Sequence, residues 1–345
     1  MSRRAKLDNG SQTVQIRHIT REQHEADKQP ELPPPPPNQW HQFRQRPIEF
    51  LATKLFTSRL RTPIRGSTDV PSLKTNIAVV CVSDTHCTRP ELPPGDLLLH
   101  AGDLSVKGTF GEIQDQLDWL NAQSHEHKVV IAGNHDRLLD PALDESDLER
   151  GSEVDQIPPR AGGRSDLRWG EIIYLQDSSA RLEFTKGRVL NIYGSPWTIE
   201  CGNWAFQYLP IRDIWARKIP IDTDILLTHG PPKFHLDRAR NDAGCPHLLR
   251  ELWRVRPTLA VFGHIHPGYG QELIGYSPAQ SAYEGIRLGT RGYLALLVIF
   301  VSLIIQRLLF ALRVSSSSKV TCLVNAAAVG GPNNQERRHP IVVEI

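Results

Sequence analysis

Cysteine is scarce in this chain of 345 residues, and its spacing offers no pairing. Cys81, Cys87, Cys201, Cys245 and Cys322 are odd in number and include no CxxC. That excludes a disulfide scaffold and a thiolate zinc site, and it points to a reducing compartment such as the cytoplasm. An excess of one charge sign is also lacking. Forty Lys and Arg face 38 Asp and Glu, for a formal net charge of +2. A nucleic-acid surface driven by bulk charge is therefore not expected. A mean hydropathy of −0.34 excludes a polytopic membrane protein, although an average can hide one short apolar segment. The N-terminus starts basic but has no apolar core of the secretory type, so secretion is not expected. No internal repeat is present.

The residues that are present fall into three kinds of stretch. Residues 1–75 carry no sustained apolar period, and they contain a proline run, Pro33 to Pro37. Such a run takes polyproline II geometry and cannot join a sheet ladder. This stretch reads as a disordered Pro-rich leader, and its prolines also suit an aromatic-grooved adaptor domain. Within it, IEFLATKLF (48–56) suggests a short helix docking on the domain. Residues 76–345 read as one domain. IAVVCVS (77–83), DLLLH (96–100) and KVVIAG (128–133) are strand-like apolar runs. Between the last two, Ile113, Leu117 and Leu120 recur at helical spacing. This order suggests an α/β layered domain. Residues 137–170 are polar and read as a surface insertion. IIYL (172–175), RLEF (181–184) and RVLNIYG (188–194) suggest a run of antiparallel strands. DILLTH (224–229) and TLAVFGH (258–264) bracket a helix, and VTCLVNA (320–326) and PIVVEI (340–345) close the domain.

Five polar clusters each follow an apolar strand. VCVSDTH contributes Asp84 and His86, and LLHAGDL contributes Asp103. VVIAGNHD contributes Asn134, His135 and Asp136. ILLTHGPP contributes His229, and VFGHIH contributes His264 and His266. Each alone is a weak signal: GD reads as a turn aspartate and THG as a loop histidine. Together they are not, because ligands of α/β sheets collect at the carboxyl ends of strands. Carboxylate and imidazole are the donor mix for Mn, Fe or Zn. Two divalent metals need one ligand able to reach both, and Asp103 is the natural bridge. A water or hydroxide held between them becomes the nucleophile, the metals neutralise phosphate oxygens, and a histidine protonates the leaving alkoxide.

DxH, GD, GNHD, H and GHxH in this order resemble the calcineurin-like metallophosphoesterase superfamily. The runs KVVIAGNH, IYLQDS, YGSPWT, DILLTHGPP, GCPHLL, RPTLAVFGHIHPGYG and VNAA are most similar to its metallophosphoesterase-domain-containing (MPPED/UPF0046) branch. The resemblance covers about residues 77–275 and resumes at 320–345. It implies a four-layer α/β/β/α sandwich with a dinuclear site at strand C-termini. It also implies a hydrolase acting on a phosphomonoester, a phosphodiester or a phosphoprotein. Motif by motif, Asp84 and His86 would bind the first metal and His266 would return to it. Asp103 would bridge. Asn134, His229 and His264 would bind the second metal. His135 would donate the proton, and Asp136 would orient a histidine through a hydrogen bond. Some members of the branch have glycine at the position of His264; this chain keeps the histidine, so a competent enzyme is expected. SPWT (195–198), Asn203 and Trp204 are candidates for the substrate rim, with core packing the plainer role for the aromatics.

GYLALLVIFVSLIIQRLLFALR (292–313) departs from the family pattern, inside an insertion of about 276–314. As one helix it would be about 31 Å long, near a bilayer core thickness. Arg307 interrupts it. Peripheral membrane attachment, a buried or oligomer-forming helix and a single span are its three readings. A phosphoesterase fold kept as a scaffold or membrane adaptor is the rival to an enzyme, and a nuclease is a third reading.

Overall fold

The computed structural model describes residues 39–58, 76–143, 162–237, 242–312 and 319–345. Pro33 to Pro37 and the middle of the polar insertion lie outside them. Two helices, α1 (Gln39–Gln45) and α2 (Pro47–Ser58), fall inside the stretch expected to be a disordered leader. By its contacts the chain divides into residues 1–47 and 48–345, and the α/β body belongs to the second unit.

The first sheet is parallel at its centre. β1 (Ala78–Val82), β2 (Leu97–His100), β3 (His127–Val130) and β4 (Ile172–Tyr174) follow one another across it, and β15 (Ile341–Glu344) closes it antiparallel to β1. The run expected as antiparallel from IIYL onward divides here. β4 is parallel to β3, whereas β5 (Ser178–Glu183) and β6 (Val189–Ser195) form an antiparallel pair in the second sheet. Three residues separate β4 from β5, a length that also suits a hairpin, but here the chain passes into the other sheet instead of reversing beside β4.

In the second sheet β6, β9 (Ile225–Thr228), β10 (Leu259–Phe262) and β12 (Val320–Asn325) are parallel. β5 and β11 (Gly270–Gly275) lie antiparallel at its edges. A parallel sheet covered on both faces favours continuous apolar strands, as AVVCV and ILLT are.

Alternation within those strands builds the layers. Val79, Cys81, Leu97, Leu99 and Val129 meet Ile192, Leu227 and Val261 between the sheets. Val80, Val82, Leu98 and Val130 point outward, under α3 (Phe110–Asn121). That helix starts at Thr109, whose hydroxyl accepts from the Glu112 amide while the Glu112 carboxylate accepts from the Thr109 amide. Its Ile113, Leu117 and Leu120 are fully buried. Burying each is worth about 1.5–3 kcal/mol over leaving it exposed. Leu248, Leu252 and Val255 of α4 (Pro246–Val255) cover the other sheet through Leu226, Ala260 and Phe262. Two sheets face each other with helices outside, which is the expected four-layer arrangement.

β11 and β12 pair along their length, with Gly275 opposite Val320. Everything between them leaves and re-enters at one end of this hairpin. That excursion holds α5 (Pro278–Arg287) and α6 (Tyr293–Ala311). α2, read as a docking helix, contributes Ala52 to a small core with α5 and α6. Among the described residues no helix is long and apolar enough to cross a membrane. The topology agrees, since the chain returns through β12 to the sheet it left, and the single-span reading of 292–313 is set aside.

Candidate metal centre

The parallel strands of both sheets end at the same edge, and each motif lies just beyond a strand. Asp84 and His86 follow β1, Asp103 follows β2, Asn134 and His135 follow β3, His229 follows β9, and His264 and His266 follow β10. Four of these residues have left-handed backbones: Asp84 at φ 51°, His86 at 42°, Asp103 at 55° and His264 at 63°. Side-chain-bearing residues in this region cost of order 1–3 kcal/mol each, and they persist where surrounding bonds over-determine them. Here the Asp84 amide donates to Gly102 O at 2.9 Å and the His86 amide to Asp103 O at 3.1 Å.

Two motif glycines make room for the carboxylates. A Cβ on Gly133 would lie 2.3 Å from Asp103 Oδ1, and one on Gly263 would lie 2.0 Å from Asp84 Oδ2. Glycine in GNHD and GHIH is therefore a demand of the site as well as of its turns.

The predicted residues come together as two groups about one carboxylate. The ligand atoms of Asp84, His86 and His266 lie within 4.8 Å of one another, as do those of Asp103, His229 and His264. Asp103 also groups with His86 and His135. One Asp103 oxygen lies 3.7 Å from His86 Nε2 and the other 3.4 Å from His229 Nε2. Asn134 Oδ1 is 3.0 Å from His229 Nε2. The fit to divalent cations rests on the imidazoles. Nδ1 of His86 faces Ser105 O at 3.1 Å, Nδ1 of His229 faces Ala101 O at 2.8 Å, and Nδ1 of His266 faces Asn334 Oδ1 at 2.9 Å. Each contact places the proton on Nδ1 and turns the Nε2 lone pair toward the carboxylates, which is how metal-binding histidines are oriented. His86 Nε2 is buried without a hydrogen-bond partner among the described residues, an arrangement that normally costs about 1–3 kcal/mol. A cation there would satisfy it.

The electrostatics concentrate negative charge at the centre. Burial works against ionised Asp84, but its hydrogen bond to His266 and the nearby histidine charges hold it down at about 2. Burial opposes Asp103 in the same way, and His229 outweighs it, so Asp103 stays well below the usual carboxylate range. Burial disfavours the charged His229, but Asp103 and Asp84 outweigh it and raise it to about 9, so a cation bound there would take the place of the Nε2 proton. Burial and the charge of His229 push His264 down to about 4.

His135 stands beside this centre. Its amide donates to Asp103 Oδ1 at 2.8 Å, its Nδ1 lies 2.7 Å from Val106 O, and the Trp204 ring covers it with centroids 4.0 Å apart. Asp136 departs from its expected role. It accepts from the amides of Gly133, Leu104 and Ser105 and from the Ser105 hydroxyl, and none of these donors is a histidine. It ties the GNHD turn to the loop carrying Asp103. In SPWT, Ser195 Oγ and Trp197 Nε1 both donate to Asp177, at 2.7 and 2.9 Å, so this motif serves packing between strands. Asn334 was missed in the sequence reading, as were the orienting carbonyls of Ser105 and Val106. Backbone carbonyls leave no mark in side-chain identity, and Asn334 lies far along the chain in a polar run.

The family model for calcineurin-like phosphoesterase matches residues 77–268. A probable rhamnogalacturonate lyase C of Emericella nidulans is 42% identical over 310 residues, 89% of this chain and 27% of that protein. Human metallophosphoesterase domain-containing protein 1 is 39% identical over 215 residues, 59% of this chain and 64% of that protein. A UPF0046 protein of Caenorhabditis elegans is 31% identical over 241 residues, 65% of this chain and 82% of that protein. The alignments thus take in about a quarter of the fungal relative's length and just under two thirds of the human protein's. Sequence match and strand-end geometry agree, and the chain belongs to the calcineurin-like phosphoesterase family.

Proposed function

We propose that this chain hydrolyses phosphoesters at a pair of divalent cations. Asp84, His86 and His266 would hold one, Asn134, His229 and His264 the other, and Asp103 would serve both. The observation that carries this reading is the position of Asp103, whose two oxygens face His86 on one side and His229 on the other. The mixed carboxylate, imidazole and amide donors suit Mn, Fe or Zn. When bound, such a pair supplies an activated water as nucleophile and neutralises charge developing on phosphate oxygens.

The remaining steps belong to the protein. The carbonyl of Val106 accepts from Nδ1 of His135, so the proton given to the leaving oxygen comes from Nε2 of the imidazolium. General acid catalysis of this kind contributes about 10²–10⁴-fold. Trp204 covers the His135 ring and limits how it can turn. Asp136 holds the GNHD turn against the Asp103 loop, so that proton donor and bridging carboxylate keep one spacing.

The full chain is expected to hydrolyse an aryl phosphoester when supplied with Mn²⁺, and the Asp103→Ala and His135→Ala variants are not. Equal turnover in all three proteins would overturn the assignment.

A further inference from the structure

α6 presents two apolar faces, and the described residues cover only one. Ala295, Ile299 and Leu303 are buried against Ala282 and Ile286 of α5 and Ala52 of α2. The opposite face is open: Leu294 is 82% exposed and Leu308 57%. At about 100° per residue, the exposed arc runs from Phe300 through Leu297, Leu308 and Leu294 to Val298, about 160° in all. No charged side chain lies within it, and the exposed Arg307 stands at its edge. A contiguous apolar face of this width marks a protein or membrane contact.

Charge decides between these occupants. From Gly285 to Gln335 the sequence has no Asp or Glu, but it has Arg287, Arg291, Arg307, Arg313 and Lys319. Arg287 is paired with Asp242 at 2.6 Å and the exposed Arg291 runs along Gly285 of α5, whereas the exposed Arg307 stands at the rim of the apolar arc. A second copy docked by two-fold symmetry would set this surface against itself. Each copy would bring only positive charge from this segment, with no acidic residue of it to offset the repulsion. An anionic phospholipid surface instead offers apolar depth for the arc and negative headgroups for its rim.

We propose that the outer face of α6 inserts into the headgroup boundary of an anionic phospholipid bilayer, while its inner face stays docked on α5. The excursion leaves the sheet where Gly275 pairs with Val320, and the metal-centre end of the same hairpin is Gly270 with Asn325. Five residue steps, about 17 Å, separate them. Attachment through α6 therefore leaves the strand-end site open to water.

Flotation of the full-length protein with phosphatidylcholine vesicles, with and without phosphatidylserine, tests this. The protein is expected to rise with the anionic vesicles. Binding is expected to be lost in the triple variant Leu297→Glu, Val301→Glu, Ile305→Glu, with folding checked by circular dichroism. A second variant, Arg291→Glu with Arg307→Glu, leaves the apolar face intact and is expected to bind anionic vesicles roughly tenfold more weakly or worse. Wild-type protein that stays at the bottom of the gradient overturns the proposal. So does flotation unchanged by either variant, or a solution dimer that the triple variant dissociates while the wild type ignores lipid.

Discussion

His266 Nδ1 lies 2.9 Å from Asn334 Oδ1, so a residue from the final loop orients a candidate ligand of the GHIH motif. Arg338 from the same loop donates to the His266 carbonyl. If this contact fixes the ring for a cation, Asn334→Ala is expected to lower divalent-ion affinity about 10–100-fold with little change in thermal stability. Calorimetric titration with Mn²⁺ measures it, and unchanged affinity would remove Asn334 from the account.

The room left by Gly263 allows a sharper test of the site's geometry. In Gly263→Ala the new methyl would occupy space now held by Asp84 Oδ2. The carboxylate must move, so loss of metal binding is expected with the fold retained. Full metal occupancy in this variant, by elemental analysis, would show that Asp84 has more freedom than the packing implies.

His135 is assigned to the leaving group, so its effect should follow leaving-group basicity. His135→Gln is expected to reduce kcat about 10²–10⁴-fold for an alkyl phosphoester. It should reduce it much less for a nitrophenyl ester, whose leaving oxygen needs no proton. Metal content should not change. Equal losses on both substrates would point to a role in binding.

Away from the site, His235 has Glu272 on Nδ1 and Glu284 on Nε2, each at 3.1 Å, and Trp253 and Gln280 donate to the same Glu284. Burial disfavours the charged ring, but the two carboxylates raise it to about 9. Its unfolded value is near 6.5. The charged ring therefore stabilises the native state fully below that pH, and the gain is lost as pH rises through about 9. The Tm advantage of wild type over His235→Gln is expected to shrink across this window. A constant difference from pH 6 to pH 9.5 would contradict the assignment.

Much of the candidate site was legible because its chemistry follows apolar strands. VCV, LLLH, VVIAG, ILLT and LAVF mark strand ends whatever their partners, and the polar residues after them stand out. Partner choice was less legible. IIY satisfies both a parallel and an antiparallel neighbour, and only the chain's change of sheet after Tyr174 decides. Asn334 could not be found by pattern, since GGPNNQERR has no periodicity and its position depends on β13 (Val329–Gly330) pairing with β14 (Glu336–Arg337). For α6 the sequence showed an apolar run, but which face is free depends on where α5 and α2 dock.

Asp103 is the carboxylate proposed to serve both cations, and the whole site turns on it. The most direct test is metal stoichiometry in wild type and Asp103→Ala, with turnover of an aryl phosphoester measured on the same samples. Two divalent ions per chain in the wild type, with both occupancy and turnover lost in the variant, is the predicted result. A wild type that binds no divalent metal, or an Asp103→Ala variant that keeps two ions and full turnover, would contradict it.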